Sequence, residues 1–251
     1  MQKIRIIPRL DIKNDTVVKG ICMEGLRVVG KPSEMANQYY QQGADELLYM
    51  DVVASLYGRN TLTHIIKKAA KTLFVPLIVG GGIRKLNDIS ELLNCGADKV
   101  AINTAAINNP QFIREAVQKF GSQCIILSVE AKQHLTSWNA YTESGREPST
   151  YQVPEWIEEA IRLGVGEVLL TSVDKDGTQK GFDIDLVKTI DRICSVPLIV
   201  SGGAGCLNNI LQVARATRID AVSVGSILHY KTTKVEKIKS LLKDNQICVR
   251  H

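Results

Sequence analysis

"VPLIVGGGIRKLNDISELLNCGADKVAINTA", Val75 to Ala105, lines up with "VPLIVSGGAGCLNNILQVARATRIDAVSVGS", Val196 to Ser226, 121 residues further on, with one extra residue before Asp220. Each copy holds an apolar β-branched run, a glycine turn, a segment with apolar residues at helical spacing and a second apolar run. That order predicts strand, helix and strand, twice over. "GADELLYMD" from Gly43 pairs less closely with "GVGEVLLTS" from Gly164. Both halves of the chain are therefore expected to be copies of one larger unit.

The same alternation fills the rest of the chain. Apolar runs at 4–10, 46–51, 76–81, 99–103, 124–130, 167–173, 197–203 and 221–226 are separated by helical patterns such as 85–98 and 185–195. The runs are continuous rather than alternating, so both faces are buried, as a parallel sheet requires. Eight βα units in 251 residues suit one (β/α)8 barrel, whose usual length is about 250 residues. The expected fold is thus α/β: a single TIM-barrel domain over 1–251, with a two-fold repeat of half-barrels at about 1–120 and 121–251. A doubly wound open sheet is the runner-up.

Composition sets limits. A hydrophobic content of 45% is enough for a sizeable core. The net charge of +5 comes from 31 basic and 26 acidic residues spread along the chain. This fits either a mild preference for anionic ligands or a solvated mixed-charge surface, and not a nucleic-acid surface. Six cysteines show no CxxC pair and no metal-ligand spacing, as small core residues in a reducing cytoplasm would. His64, His134, His229 and His251 do not cluster, so no metal site is expected and the four read as surface residues; no cofactor is expected either. The N-terminus has no signal-peptide core and no apolar stretch reaches 18 residues, which points to a cytoplasmic protein without a membrane span.

In such a barrel the C-terminal strand ends build the active site. Asp11 ends the first strand and Glu130 the fifth, so the two carboxylates should face each other across the mouth as general acid and base. The competing reading of each is a cap or an ion-pair partner. Lys19 is either a cationic substrate contact or a solvated loop lysine, and position alone favours the latter. "GGGI" (Gly80 to Ile83) and "SGGAG" (Ser201 to Gly205) follow the third and seventh strands, where glycines let backbone N–H groups approach an anion. Asn103 with Thr104, and Gly225 with Ser226, after the fourth and eighth strands, would complete each cradle. Two cradles imply two phosphates on one elongated substrate. "DKDGT" from Asp174 supplies Asp176, Gly177 and Thr178 as a type I turn or as further substrate contacts, and "HLTSWNAYTESG" (134–145) reads as a β-hairpin inserted after the fifth strand, either part of the mouth or a solvated loop.

"RIIPRLDIKNDTVVKG", "VGGGI", "ADKVAINTAA", "FGSQ", "LLTSVDKDGT", "GFD" and "SGGAG", in order and at matching spacing over nearly the whole chain, resemble the cyclase subunit of imidazole glycerol phosphate synthase. That histidine-biosynthesis enzyme shares a phosphate-binding barrel superfamily with the pathway's isomerase; "GSQ" and "TSVDKDG" favour the cyclase. The resemblance implies a lyase reaction, in which ammonia enters a bisphosphate ribulosyl aminoimidazole carboxamide ribotide that is split and closed to imidazole glycerol phosphate and the aminoimidazole ribotide. It implies that Asp11 is an acid/base catalyst and that Lys19 holds substrate from a mobile loop. Gly82, Asn103 and Thr104 would bind one phosphate, with Asp176, Gly177 and Gly203 at the other. It implies a heterodimer with a glutaminase subunit on the N-terminal face of the barrel, next to Asp98, delivering ammonia through the barrel centre. Arg5, Glu46, Lys99 and Glu167 sit near N-terminal strand ends, where buried charges must pair; the residues alone fit a structural ion-pair plug, and the resemblance makes them the ammonia gate.

Departures from the family pattern cluster around the site. Glu130 stands where the family has an aspartate one methylene shorter. Arg9 replaces a small residue, and two positions before Asp11 it should share that residue's side of the strand and lower its pKa. The lid segment "MEGLRVVGKPSEMA" also differs. The alternative reading is a divergent paralogue that channels ammonia to an amidotransferase of nucleotide-sugar (surface-polysaccharide) biosynthesis. The isomerase is a third.

Overall fold

The computed structural model describes residues 3–54 and 62–250. Eight parallel strands close into a barrel: β1 (Arg5–Lys13), β4 (Leu47–Asp51), β5 (Leu77–Gly80), β6 (Lys99–Ile102), β7 (Ile125–His134), β10 (Glu167–Ser172), β11 (Leu198–Ser201) and β12 (Ala221–Val224) pair in that order, and β12 returns to β1. The closed ring excludes the open sheet. Each expected apolar run becomes a barrel strand. Two of them continue past the barrel into antiparallel extensions over the mouth: β1 into β2 (Thr16–Ile21) and β3 (Glu24–Gly30), and β7 into β8 (Ser137–Thr142) and β9 (Glu147–Gln152).

Among the described residues the helices are α1 (Pro32–Gln41), α2 (Thr63–Ala69), α3 (Leu86–Asn94), α4 (Thr104–Asn108), α5 (Gln111–Phe120), α6 (Val153–Leu163), α7 (Ile184–Asp191), α8 (Leu207–Ala216), α9 (Ser226–His229) and α10 (Val235–Asp244). They cover the outside of the barrel through strand residues that point outward, such as Ile6, Leu10 and Ile12, all fully buried. Alternate residues point inward, and Ile7, Leu48, Ile78, Ala101, Ile126, Leu169, Ile199 and Ala221 pack as a separate cluster inside the ring. The two-residue period therefore stacks β1 in layers: Arg5 at the floor, Ile7 in the middle, and Arg9 and Asp11 toward the mouth.

The repeat found in the sequence is also a repeat of geometry. Gly81 and Gly202, at φ +93° and +96°, follow β5 and β11, and a Cβ there would lie 2.1 Å from the Asp51 carbonyl oxygen and 2.7 Å from that of Ser172. Only glycine fits both that conformation and that approach. Asp88 accepts the Arg84 and Lys85 amides at 2.9 and 3.1 Å, as Asn209 accepts those of Gly205 and Cys206 at 3.1 and 3.0 Å. Asp98 accepts the Leu77 amide at 2.8 Å and Asp220 that of Leu198 at 2.8 Å. Asn103 (φ −124°, ψ −88°) and Gly225 (φ −119°, ψ −80°) share one unusual conformation ahead of α4 and α9.

Candidate active site

The mouth is built around a buried network of four charges. Arg9 Nε donates to Asp11 Oδ1 at 2.7 Å and its Nη1 to Thr171 Oγ1 at 3.1 Å. Lys19 Nζ donates to Asp11 Oδ2 at 3.0 Å and to the Asp176 carboxylate at 2.7 and 3.0 Å. Both oxygens of Asp11 are thus engaged by cations. Burial by itself would raise the Asp11 pKa, but Arg9 and then Lys19 reverse that and hold the carboxyl well below the usual range. Burial would likewise lower the pKa of Arg9 and of Lys19, and the facing carboxylates raise both instead.

Lys19 is 4% exposed and lies on β2. The reading of a solvated loop lysine is corrected: its partners, Asp11 and Asp176, come from β1 and from the turn after β10, and no local sequence signal joins them. Gly177 fixes this closure, because its α-carbon meets β2 so tightly that a Cβ would stand 2.0 Å from the Gly20 carbonyl oxygen.

Glu130 stands in a different environment. Gly145 N–H and Asn103 Nδ2 both donate to Oε2, each at 2.9 Å, leaving Oε1 without a bond among the described residues. Burial pushes its pKa up to about 7, against the pull of the Gly145 amide and of Arg9, with Glu143 and Asp11 adding to the rise. Its β7 register places it beside Thr171 of β10 and Tyr141 of β8. Gly145 and Glu143 come from the turn between β8 and β9, within the segment read as an inserted hairpin. Glu143 and Ser144 line the mouth cavity, so the hairpin takes the placement at the mouth and not that of a solvated loop, while the individual roles of Gly145 and Glu143 were not read from the sequence.

Asp11, Glu130, Lys19, Gly82, Asn103 and Thr104 line one cavity of about 240 Å³. Asp176, Gly177, Gly203, Gly225 and Ser226 line a second of about 10 Å³, room for roughly one water. Arg9 and Lys19 border both, so the two glycine cradles lie on either side of the ion network. Two buried polar atoms on residues that line these cavities, Asn103 Oδ1 and Ser223 Oγ, have no hydrogen-bond partner among the described residues. Such atoms cost about 1–3 kcal/mol each when left unmade, so a ligand or water bonded there is stabilised. Asp176 contributes no positive charge of its own; its carboxylate serves to hold Lys19.

His229 departs from the expected surface placement. It is buried behind the second cradle, 2.7 Å from the Tyr39 hydroxyl through Nδ1, and burial lowers its pKa to about 4, so it is neutral at physiological pH. His64 is exposed and pairs with Asp15 at 2.8 Å, His134 is exposed, and His251 lies outside the described residues. Among the described residues no group of His, Cys, Asp and Glu is placed to hold a metal ion, and no helix is long and apolar enough to cross a membrane.

At the opposite end of the barrel the four floor charges meet in one closed ring. Arg5 pairs with Glu46 at 2.7 Å and with Glu167, while Lys99 pairs with Glu46 at 3.3 Å and Glu167 at 2.9 Å. Two cations and two anions alternate, so the buried Glu46 and Glu167 and the part-buried Arg5 and Lys99 each face opposite charges on both sides. Asp98 is exposed at the same end, with its carboxylate turned to the Leu77 amide.

The model of the histidine biosynthesis protein family matches residues 5–234. The imidazole glycerol phosphate synthase subunit HisF of Legionella pneumophila is 53% identical over 208 residues, 82% of this chain and 98% of its own length. The subunits of the same name from Anoxybacillus flavithermus and Halalkalibacterium halodurans are 44% and 46% identical over 248 residues, 98% of each chain. The chain belongs to this histidine biosynthesis family.

Proposed function

We propose that this family member is the cyclase subunit of an imidazole glycerol phosphate synthase, a lyase that takes ammonia from a separate glutaminase subunit. The carrying observation is the pair of carboxylates on opposite strands at the barrel mouth, Asp11 and Glu130, in one cavity flanked by two glycine cradles of matching backbone. Identity of 42–53% to relatives named as that synthase's subunit, over most or all of the chain, supports the reading and does not favour the nucleotide-sugar alternative.

The two carboxylates divide the chemistry. Asp11, clamped by Arg9 and Lys19, stays ionised and stabilises positive charge that develops as ammonia adds and the imidazole ring closes. Glu130, with its pKa near neutrality, gives and takes the proton, which is where a general acid/base group is most effective. The open cradle of Gly82, Asn103 and Thr104 receives one phosphate. The second phosphate meets Gly177, Gly203, Gly225 and Ser226 beside Lys19, and that cavity, now about one water in size, must widen to take it. The Arg5–Glu46–Lys99–Glu167 ring stands where ammonia would enter from a glutaminase docked near Asp98.

Purified protein, ammonium salt at alkaline pH and the bisphosphate ribotide form the direct test. The expected result is turnover to imidazole glycerol phosphate that is lost in Glu130→Gln. An inactive wild type with a Glu130→Asp variant that turns over would sink the proposal, since the longer side chain would then have removed the activity.

A further inference from the structure

Outside the barrel, a third cavity of about 290 Å³ lies between α1 and α2, behind β4. It is separate from the mouth and from the floor ring, and neither the proposed chemistry nor the ammonia path uses it. Its walls are apolar: Pro32 from α1, and Ile65, Ala69 and Leu73 from α2 and the turn after it.

Tyr49 gives the cavity its chemistry. It is fully buried on β4, points outward between the helices, and lines this space, yet its hydroxyl has no hydrogen-bond partner among the described residues. Burial raises the phenol's pKa, so the O–H stays protonated and is a donor without an acceptor. An unmet buried donor is costly, and the cost is recovered when a ligand atom accepts from it.

The cavity's edge selects charge. α1 begins here: its N-cap residue, Lys31, supplies no side-chain cap, and Pro32 at the first helical position has no N–H, so the amides of Ser33 and Glu34 lack acceptors within the helix. The positive end of the helix dipole lies at this edge, and Lys31 and Lys68 are lining residues; the Lys31 ammonium is paired with Glu34 at 3.4 Å, an exposed pair, so Lys68 is the cation at the rim for which no ion pair is found among the described residues. Asp15 is the acidic lining residue, and it is paired with His64 at 2.8 Å. An orphan donor at depth, apolar walls and a cationic rim describe a small planar ligand with an acceptor at one end and an anion at the other.

We infer that the chain carries a second small-molecule site, between α1 and α2, for a monocyclic aromatic carboxylate. The ring lies between Pro32 and Leu73, its acceptor atom takes the Tyr49 hydroxyl, and its carboxylate meets Ser33 and Lys68.

The test is saturation-transfer NMR on the full chain with nicotinate and 4-hydroxybenzoate at millimolar concentration, and with uncharged nicotinamide as control. Transfer to both carboxylates is expected, weaker for nicotinamide. Tyr49→Phe keeps the packing and should weaken binding about tenfold, the effect of losing one good hydrogen bond. Lys68→Glu, an exposed change that leaves the core intact, should weaken it as well. No transfer to wild type, transfer unchanged in both variants, or transfer abolished by Glu130→Gln, which would place the probe in the mouth, each overturns the inference.

Discussion

Replacing Arg9 by Met tests the ion network directly. In the wild type two cations, Arg9 and Lys19, balance two anions, Asp11 and Asp176, and all four are buried. Removing Arg9 leaves a net charge of −1 in that space and takes one of the two cations from Asp11. Breaking a buried pair by deleting one partner costs about 3–5 kcal/mol. At roughly 2–4 °C per kcal/mol for a chain of this size, the midpoint should fall by about 6–20 °C. Asp11→Asn alone leaves a net +1 and should cost a comparable amount. The double variant restores neutrality around Lys19 and Asp176, so its loss should be smaller than the sum of the singles by about 2–3 kcal/mol, the range seen for strongly coupled neighbours. Calorimetry of the four proteins measures this cycle. The pH dependence supplies a second readout. Asp11 has a folded-state pKa below its unfolded value, so its contribution is present above about pH 4 and is lost as pH falls through the lower folded pKa. The gap between wild type and Arg9→Met should therefore narrow below about pH 4. Additive losses, or a gap that widens in acid, would refute the charge-balance argument.

Other consequences concern Glu130, the glycines and the floor. Glu130 has a folded pKa of about 7, raised above the unfolded value, so its ionisation opposes folding as pH rises from about 4.5 to 7; Glu130→Gln should be more stable than wild type above pH 7 and equal to it below pH 4.5 in denaturant titrations. The wild-type kcat/KM profile should show a break near pH 7, where Glu130 titrates. Gly81→Ala places a Cβ 2.1 Å from a backbone oxygen at φ +93° and should cost more than the about 1 kcal/mol of a conformational penalty alone, with Gly202→Ala less severe at 2.7 Å. Glu167→Gln takes one anion from the floor ring, leaving Arg5 and Lys99 to share Glu46. It should lower turnover with glutamine plus the glutaminase more than turnover with free ammonium, and equal losses would remove the ring from the ammonia path.

The parts legible in the sequence are those fixed by short-range periodicity. Strand positions came from continuous apolar runs, the barrel from their number, and the half-barrel repeat from residues whose geometry recurs, such as Asp98 and Asp220. The Arg9–Asp11 pair was readable because residues two apart on a strand share a face. Lys19 was not, because its partners are 8 and 157 positions away and meet it only once β2 folds over the mouth. His229 was misplaced for the same reason: its burial depends on Tyr39, 190 positions distant. The raised pKa of Glu130 depends on a dry setting built by the β8–β9 turn, and residue type alone suggests an ordinary carboxylate.

Duplication supplies symmetry of backbone, and the chemistry comes from breaking it. Asp11 and Glu130 close equivalent strands of the two halves, and matching glycines and matching helix entries surround them. If side chains had stayed equivalent, the two carboxylates would titrate together and neither could be assigned a separate task. Arg9 and Lys19 instead both lie against the first, while the second is left with an amide, an Asn103 side chain and burial. One acid is thereby driven far below neutrality and the other up to about 7. Two like groups whose environments separate their protonation are how a single site holds a fixed negative charge and a mobile proton at the same pH. The extra methylene of Glu130 belongs to that division: it carries the carboxylate to the Gly145 amide and Asn103, away from the cations that would keep it ionised.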